Sequence, residues 1–171
     1  AGSPLRILEV VEAVNVDQKR MLAQKVIGRF GADLKGRRFA LWGLAFKPQT
    51  DDMRQAPSLV IIDALLAAGA EVVAFDPEAM TEARRELGDR IEYAAGAAAA
   101  SQGCDALLLL TEWNAFRRPD WGKIGPLMKH RIVFDGRNIY SKKELERLGF
   151  EYHCVGRPNI RVEGDDSDQA Y

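Results

Sequence analysis

The chain has 171 residues, 47% of them apolar and 29% charged, which suits one sizeable core and is too apolar for intrinsic disorder. Its 24 basic and 25 acidic residues nearly cancel, so it lacks the global positive field on which nucleic-acid binding draws. No run of about 18 apolar residues offers a membrane span, and the opening AGSPLRILEVVE lacks the clean apolar stretch of an export signal.

Apolar residues recur at three- and four-residue spacing from Leu5 to Phe30, predicting a long amphipathic helix over 4–30. Ser3 suits its N-cap, Pro4 its first position and Gly31 its stop. Asn15, Asp17, Gln18 and Lys19 interrupt the apolar density, as a stretch turned to solvent does. A linker over 31–37 follows. Short apolar runs then alternate with helical stretches: FALWGL, PSLVIIDALLAAG, EVVAFDP, EAMTEARRELG, RIEYAA, AAAASQG, DALLLL, WGKIGPLMKH, RIVFDGRN, SKKELERLG and FEYHCVG. Such alternation predicts an α/β domain over 36–157, a doubly wound, mostly parallel sheet of about six strands. Gly69, Gly88, Gly103 and Gly149 each stand where a helix must close before a strand. The stretch 158–171 is acidic and nearly free of apolar residues, and is expected to be a poorly ordered tail.

In an open α/β sheet, ligands bind beyond the carboxyl ends of the strands, where the strand order reverses. The first strand lies centrally in this winding and runs into GLAFKPQTDDMR. Lys47 supplies a point charge, Phe46 an apolar face for a base or sugar, and Gly43 lets the backbone approach closely; the same residues also read as a turn glycine with a solvated lysine. Arg54 precedes the next helix, whose N-terminus favours anions; it would bind a pyrophosphate there or simply pair with Asp51 and Asp52. Arg137, in FDGRN past the fifth strand, falls on the same rim as Lys47, and two cations on one rim suit a diphosphate.

Asp76, in AFDP at the end of the second strand, stands where an acid binds ribose in dinucleotide-binding sheets. The glycine fingerprint is missing, so Asp76 reads better as a turn former before Pro77. Trp113 and Phe116 in TEWNAF read as core. Cys104 and Cys154 are far apart, form no CxxC and show no metal-type spacing with His130 or His153, which fits a reducing, cytoplasmic setting. His153 and Cys154 are adjacent on a strand and so point to opposite faces, excluding a nucleophile and base pair. Both cysteines and both histidines are read as structural.

The segments EAVNVDQKR, GLAFKPQTDDMRQAPS, FDP, TEW and FDGRN, in this order, make the chain resemble the C-terminal part of the UDP-glucose/GDP-mannose dehydrogenase family. Any one of them is modest; five in order over residues 4 to about 158 are specific. The resemblance implies a connecting and dimerising helix at 4–30 followed by a Rossmann-like UDP-sugar-binding domain. It implies that Phe46, Lys47 and Arg137 touch the UDP-sugar, while Arg54 reaches NAD held mainly by an N-terminal domain absent from this chain. The implied reaction oxidises UDP-glucose to UDP-glucuronate in two NAD-dependent steps through a cysteine thioester. That cysteine precedes Ser3 in the family's order, so the fragment alone is expected to be inactive.

TEW with FDGRN resembles the UDP-glucose branch more than the GDP-mannose branch, and a UDP-N-acetylhexosamine dehydrogenase is a further reading. A stand-alone nucleotide-binding regulatory module is the alternative of another class. Against it stands the long apolar helix, which needs a partner surface such as a further domain or a dimer mate.

Overall fold

The computed structural model describes residues 20–155. The first helix appears there as α1, residues 20–30; its expected start at Ser3 and Pro4, the polar stretch at 15–19 and the tail at 158–171 lie outside the described residues. Gly31 ends α1 at φ +94°, its N–H donating to the Ile27 carbonyl at 2.8 Å, a left-handed closure that glycine makes without a Cβ penalty.

Six strands follow: β1 Arg38–Trp42, β2 Glu71–Phe75, β3 Glu92–Tyr93, β4 Ala106–Leu109, β5 Ile132–Asp135 and β6 Glu151–Cys154. The helices between them are α2 Pro57–Ala67, α3 Met80–Leu87, α4 Ala97–Ser101, α5 Trp121–Leu127 and α6 Lys142–Arg147. The strands lie in the order β3-β2-β1-β4-β5-β6, and every pairing is parallel. Gly69, Gly88, Gly103 and Gly149 all have positive φ, as their places after helices require.

Both faces of the sheet are covered, which is why ALLL in β4 and IVFD in β5 are buried throughout instead of alternating. On one face α1 packs, Phe30 meeting Phe39 edge-on at 5.4 Å and Phe134 at 6.4 Å. On the other, Trp42 stacks on Trp121 at 6.3 Å, leans on Phe116 at 5.3 Å and donates its Nε1–H to the Ala97 carbonyl at 3.0 Å. Phe39 and Trp42 are three residues apart on β1, so the pleat sends them to opposite layers. Trp113 and Phe116 are buried, as expected.

Both histidines have carboxylate neighbours within the fold. His153 stacks on Phe134 at 4.5 Å and shares a 2.5 Å hydrogen bond with Glu151, whose Oε1 also accepts from Arg29 of α1 at 2.8 Å. His130 approaches the buried Asp105 at 3.7 Å, where Arg37 and Lys129 also gather, at the amino-terminal edge of β4. Cys104 and Cys154 are both buried free thiols, and burial pushes the Cys104 thiol up to about 11, which leaves it protonated and unreactive at neutral pH.

Candidate functional site

The register sets Trp42 beside Phe75 and Leu109, Leu109 beside Asp135, and Asp135 beside Cys154, so five carboxyl ends share one edge. The winding reverses between β1 and β4. A crevice opens at this reversal, where doubly wound sheets bind ligands.

The loop leaving β1 is held rigidly before it reaches the crevice. Gly43, at φ +90°, donates to the Phe75 carbonyl at 2.9 Å. The N–H groups of Leu44 and Ala45 donate to Asp76 Oδ2 at 2.6 and 3.1 Å, the Ser58 hydroxyl donates to the Leu44 carbonyl at 2.6 Å, and the Thr111 hydroxyl to the Ala45 carbonyl at 2.6 Å. Phe46 N–H then donates to the Asp52 carbonyl at 2.9 Å. With the preceding backbone fixed, the Phe46 ring projects into solvent at 50% exposure, the only large hydrophobic so exposed among the described residues. The ring lies along the crevice wall and offers it an apolar face.

Asp76 organises this arrangement. Its fully buried carboxylate also accepts from Glu78 N–H at 2.9 Å, Ala79 N–H at 2.8 Å and Trp113 Nε1–H at 3.1 Å. The expected turn former before Pro77 is thus a hub joining the loops after β1, β2 and β4. Facing inward with five donors, it is not presented to a ribose.

The crevice encloses about 460 Å³. Its walls are mainly apolar: Met21 and Leu22 from α1, Pro57 and Ile61 from α2, Phe46 and Leu110. Arg137 supplies its positive charge, and the amino end of α2 contributes a favourable dipole for an anion. An apolar slot with one guanidinium and a helix N-terminus suits a flat, partly apolar group bearing phosphate.

Arg137 reaches the crevice from a turn tied down by hydrogen bonds. Its N–H donates to Asp135 Oδ1 at 2.8 Å, and the neighbouring Asn138, at φ +56°, exchanges two 3.0 Å hydrogen bonds with Val155. Gly136 is required by space: a Cβ there would lie 2.9 Å from the Leu109 carbonyl oxygen and 3.2 Å from Leu22 Cδ2. Opposite stands Glu112, on the loop after β4, pairing with Arg137 through Nε to Oε2 and Nη2 to Oε1, the latter at 2.7 Å. Hydrogen bonds from Arg137 hold the Glu112 carboxyl below its ordinary value.

Of the four residues expected to bind ligands, Phe46 and Arg137 line the crevice together. Lys47 is exposed on the same edge but does not line it. Arg54 lies apart, in a second concavity of about 410 Å³ with Glu82 and Arg85 of α3. Its guanidinium is 90% exposed and pairs with Asp52 at 2.8 and 3.0 Å, so the pairing anticipated for the aspartates is made by Asp52. Glu112, Gln55 and the α1 residues Met21 and Leu22 escape a reading of the sequence. For Glu112 a signal exists: TEW and FDGRN leave neighbouring parallel strands at the same edge, so opposite charges two or three residues past the strand ends can meet.

The profile of the UDP-glucose/GDP-mannose dehydrogenase family, UDP binding domain, matches residues 40–142. The UDP-glucose 6-dehydrogenase of Rhizobium meliloti (strain 1021) is 42% identical over 157 residues, covering 92% of this chain and 36% of that protein. The UDP-glucose 6-dehydrogenase of Pseudomonas aeruginosa is 45% identical over 168 residues, again covering 92% and 36%. A solved UDP-glucose dehydrogenase from the hyperthermophilic archaeon Pyrobaculum islandicum is 32% identical with a TM-score of 0.69, covering 80% of this chain and 30% of that one. The chain therefore spans about a third of the length of the curated relatives it matches. With a matching fold, a crevice at the switch point and a family profile over most of the sheet, the chain belongs to the UDP-glucose/GDP-mannose dehydrogenase family and carries its UDP binding domain.

Proposed function

We propose that this chain is the part of an NAD-dependent UDP-glucose 6-dehydrogenase that holds the nucleotide end of UDP-glucose, divided into a connecting helix at 4–30, a binding domain at 36–157 and a tail. The observation that carries the reading is Phe46 and Arg137 on one crevice at the strand-order reversal. Arg137 takes a phosphate in charge-assisted hydrogen bonds, Phe46 covers the nucleotide, and Lys47 adds a cation at the rim.

NAD does not fit this sheet itself, since Asp76 is buried with five donors and the loop after β1 lacks the glycine fingerprint. NAD would be held by another domain and would supply the hydride acceptor, and the exposed Arg54 is the group of this chain that would reach it. A homodimer through the connecting helix and a cytoplasmic setting complete the reading, the second supported by the two buried free thiols.

The test is calorimetric titration of UDP, GDP and UDP-N-acetylglucosamine into the intact polypeptide. UDP is expected to bind more tightly than GDP, and Lys47→Ala and Arg137→Ala each to weaken UDP by about 1–3 kcal/mol, the scale of a lost charge-assisted hydrogen bond. Arg54→Ala is expected to raise KM for NAD without changing UDP affinity. Unchanged UDP affinity in both the Lys47 and Arg137 variants overturns the assignment.

A further inference from the structure

Arg137 is a long side chain at the mouth of an open crevice, where a free guanidinium samples many rotamers. Here it does not. Glu112 takes its Nε and one Nη2 proton side-on, in a two-pronged pair, which leaves the second Nη2 proton and both Nη1 protons as the donor edge.

Each partner stands on anchored backbone. On one side Asp135 accepts from the N–H groups of Arg137, Ile139 and Tyr140 and from the Tyr152 hydroxyl, all within 3.0 Å. On the other, Glu112 sits between Thr111, whose hydroxyl is bonded to the Ala45 carbonyl, and Trp113, whose indole is bonded to Asp76. The pair thus links the loop after β5, through that after β4, to the backbone that presents Phe46.

We infer that Glu112 is a positioning residue: it orients the Arg137 guanidinium so that its free donor edge meets a phosphate of the bound nucleotide. This rests on the reading that the crevice takes a nucleoside diphosphate. The carboxylate charge is offset by the guanidinium it binds, so its contribution to binding is the ordering of Arg137 before the ligand arrives. A phosphate then replaces water on a fork already set in plane.

The experiment is a double-mutant cycle in the intact polypeptide, titrating UDP into the parent, Glu112→Ala, Arg137→Ala and the double variant, with thermal unfolding of each. Glu112→Ala is expected to weaken UDP roughly three- to tenfold, the effect of leaving one long side chain to be ordered on binding. In the Arg137→Ala background, the same substitution is expected to weaken UDP no further. Glu112→Gln, which keeps one acceptor, should fall between the parent and Glu112→Ala. Unchanged or tighter UDP binding by Glu112→Ala overturns the inference, as does an equal loss in the Arg137→Ala background, which marks a general structural effect. If Arg137→Ala alone leaves UDP affinity intact, this inference fails with its premise, and the Lys47→Ala titration then decides whether the reading of the site fails too.

Discussion

Gly43 and Thr111 approach so closely that a Cβ built on Gly43 would stand 2.6 Å from Thr111 Cβ and 2.9 Å from its Oγ1. The backbone at Gly43 is also left-handed, at φ +90°. The loops after β1 and β4 touch at the strand-order reversal because this residue lacks a side chain. Gly43→Ala adds a left-handed penalty to a steric one, and is expected to lower stability by about 2–4 kcal/mol in urea unfolding. A loss within experimental error would mean that the loops part easily and are not the rigid support described above.

Asp76 carries five hydrogen bonds from three loops without exposure to water. In Asp76→Asn an amide NH₂ must face N–H groups that formerly donated to a carboxylate oxygen. The expected cost is about 2–4 kcal/mol. Because Leu44 and Ala45 lie just before Phe46, UDP affinity should fall as well. Hydrogen exchange of the Leu44 and Ala45 amides reports the same loosening directly, and unchanged protection there would count against Asp76 as the hub.

Glu151 ties α1 to the sheet. Although burial alone would raise its carboxyl, hydrogen bonds from His153 and Arg29 hold it below its ordinary value. A carboxyl lowered in this way stabilises the fold above the ordinary glutamate range, and that contribution is lost as pH falls through the folded value. Arg29→Met is therefore expected to cost about 1–3 kcal/mol near pH 7, with the gap to the parent closing below about pH 4. Stability measured across pH 3–8 decides it; a gap that is constant with pH sets the ion pair aside and leaves packing as the role of Arg29.

Cys104 is fully buried and its thiol is pushed up to about 11, chiefly by desolvation. Folding thus favours the protonated thiol, a contribution present below its ordinary value of 9.0 and lost as pH rises through about 11. Native protein at pH 8 should leave Cys104 unlabelled by iodoacetamide, while denatured protein labels fully. Rapid labelling of the native thiol would show that the β4 amino end opens readily.

Local composition by itself determined the layered alternation of strand and helix, because a strand covered on both faces must be apolar throughout and a helix after a loop needs its own stop. FALWGL, DALLLL and RIVFDGRN are such strands, and Gly69 and Gly149 such stops. The same reasoning placed Phe46, Lys47 and Arg137 on one edge, since parallel strands bring all their carboxyl ends together.

Only the tertiary structure decided which of these residues share a crevice and which are already engaged. Glu112 and Arg137 are 25 residues apart and meet because β4 and β5 are neighbours in register. Asp76 turned inward because two loops and an indole converge on it, a count of donors that no local spacing reveals. Lys47, one residue from Phe46, was left outside the crevice because side-chain direction past a strand end follows from how the loop is tied down, and the ties come from Asp76, Thr111 and Ser58, all distant in sequence.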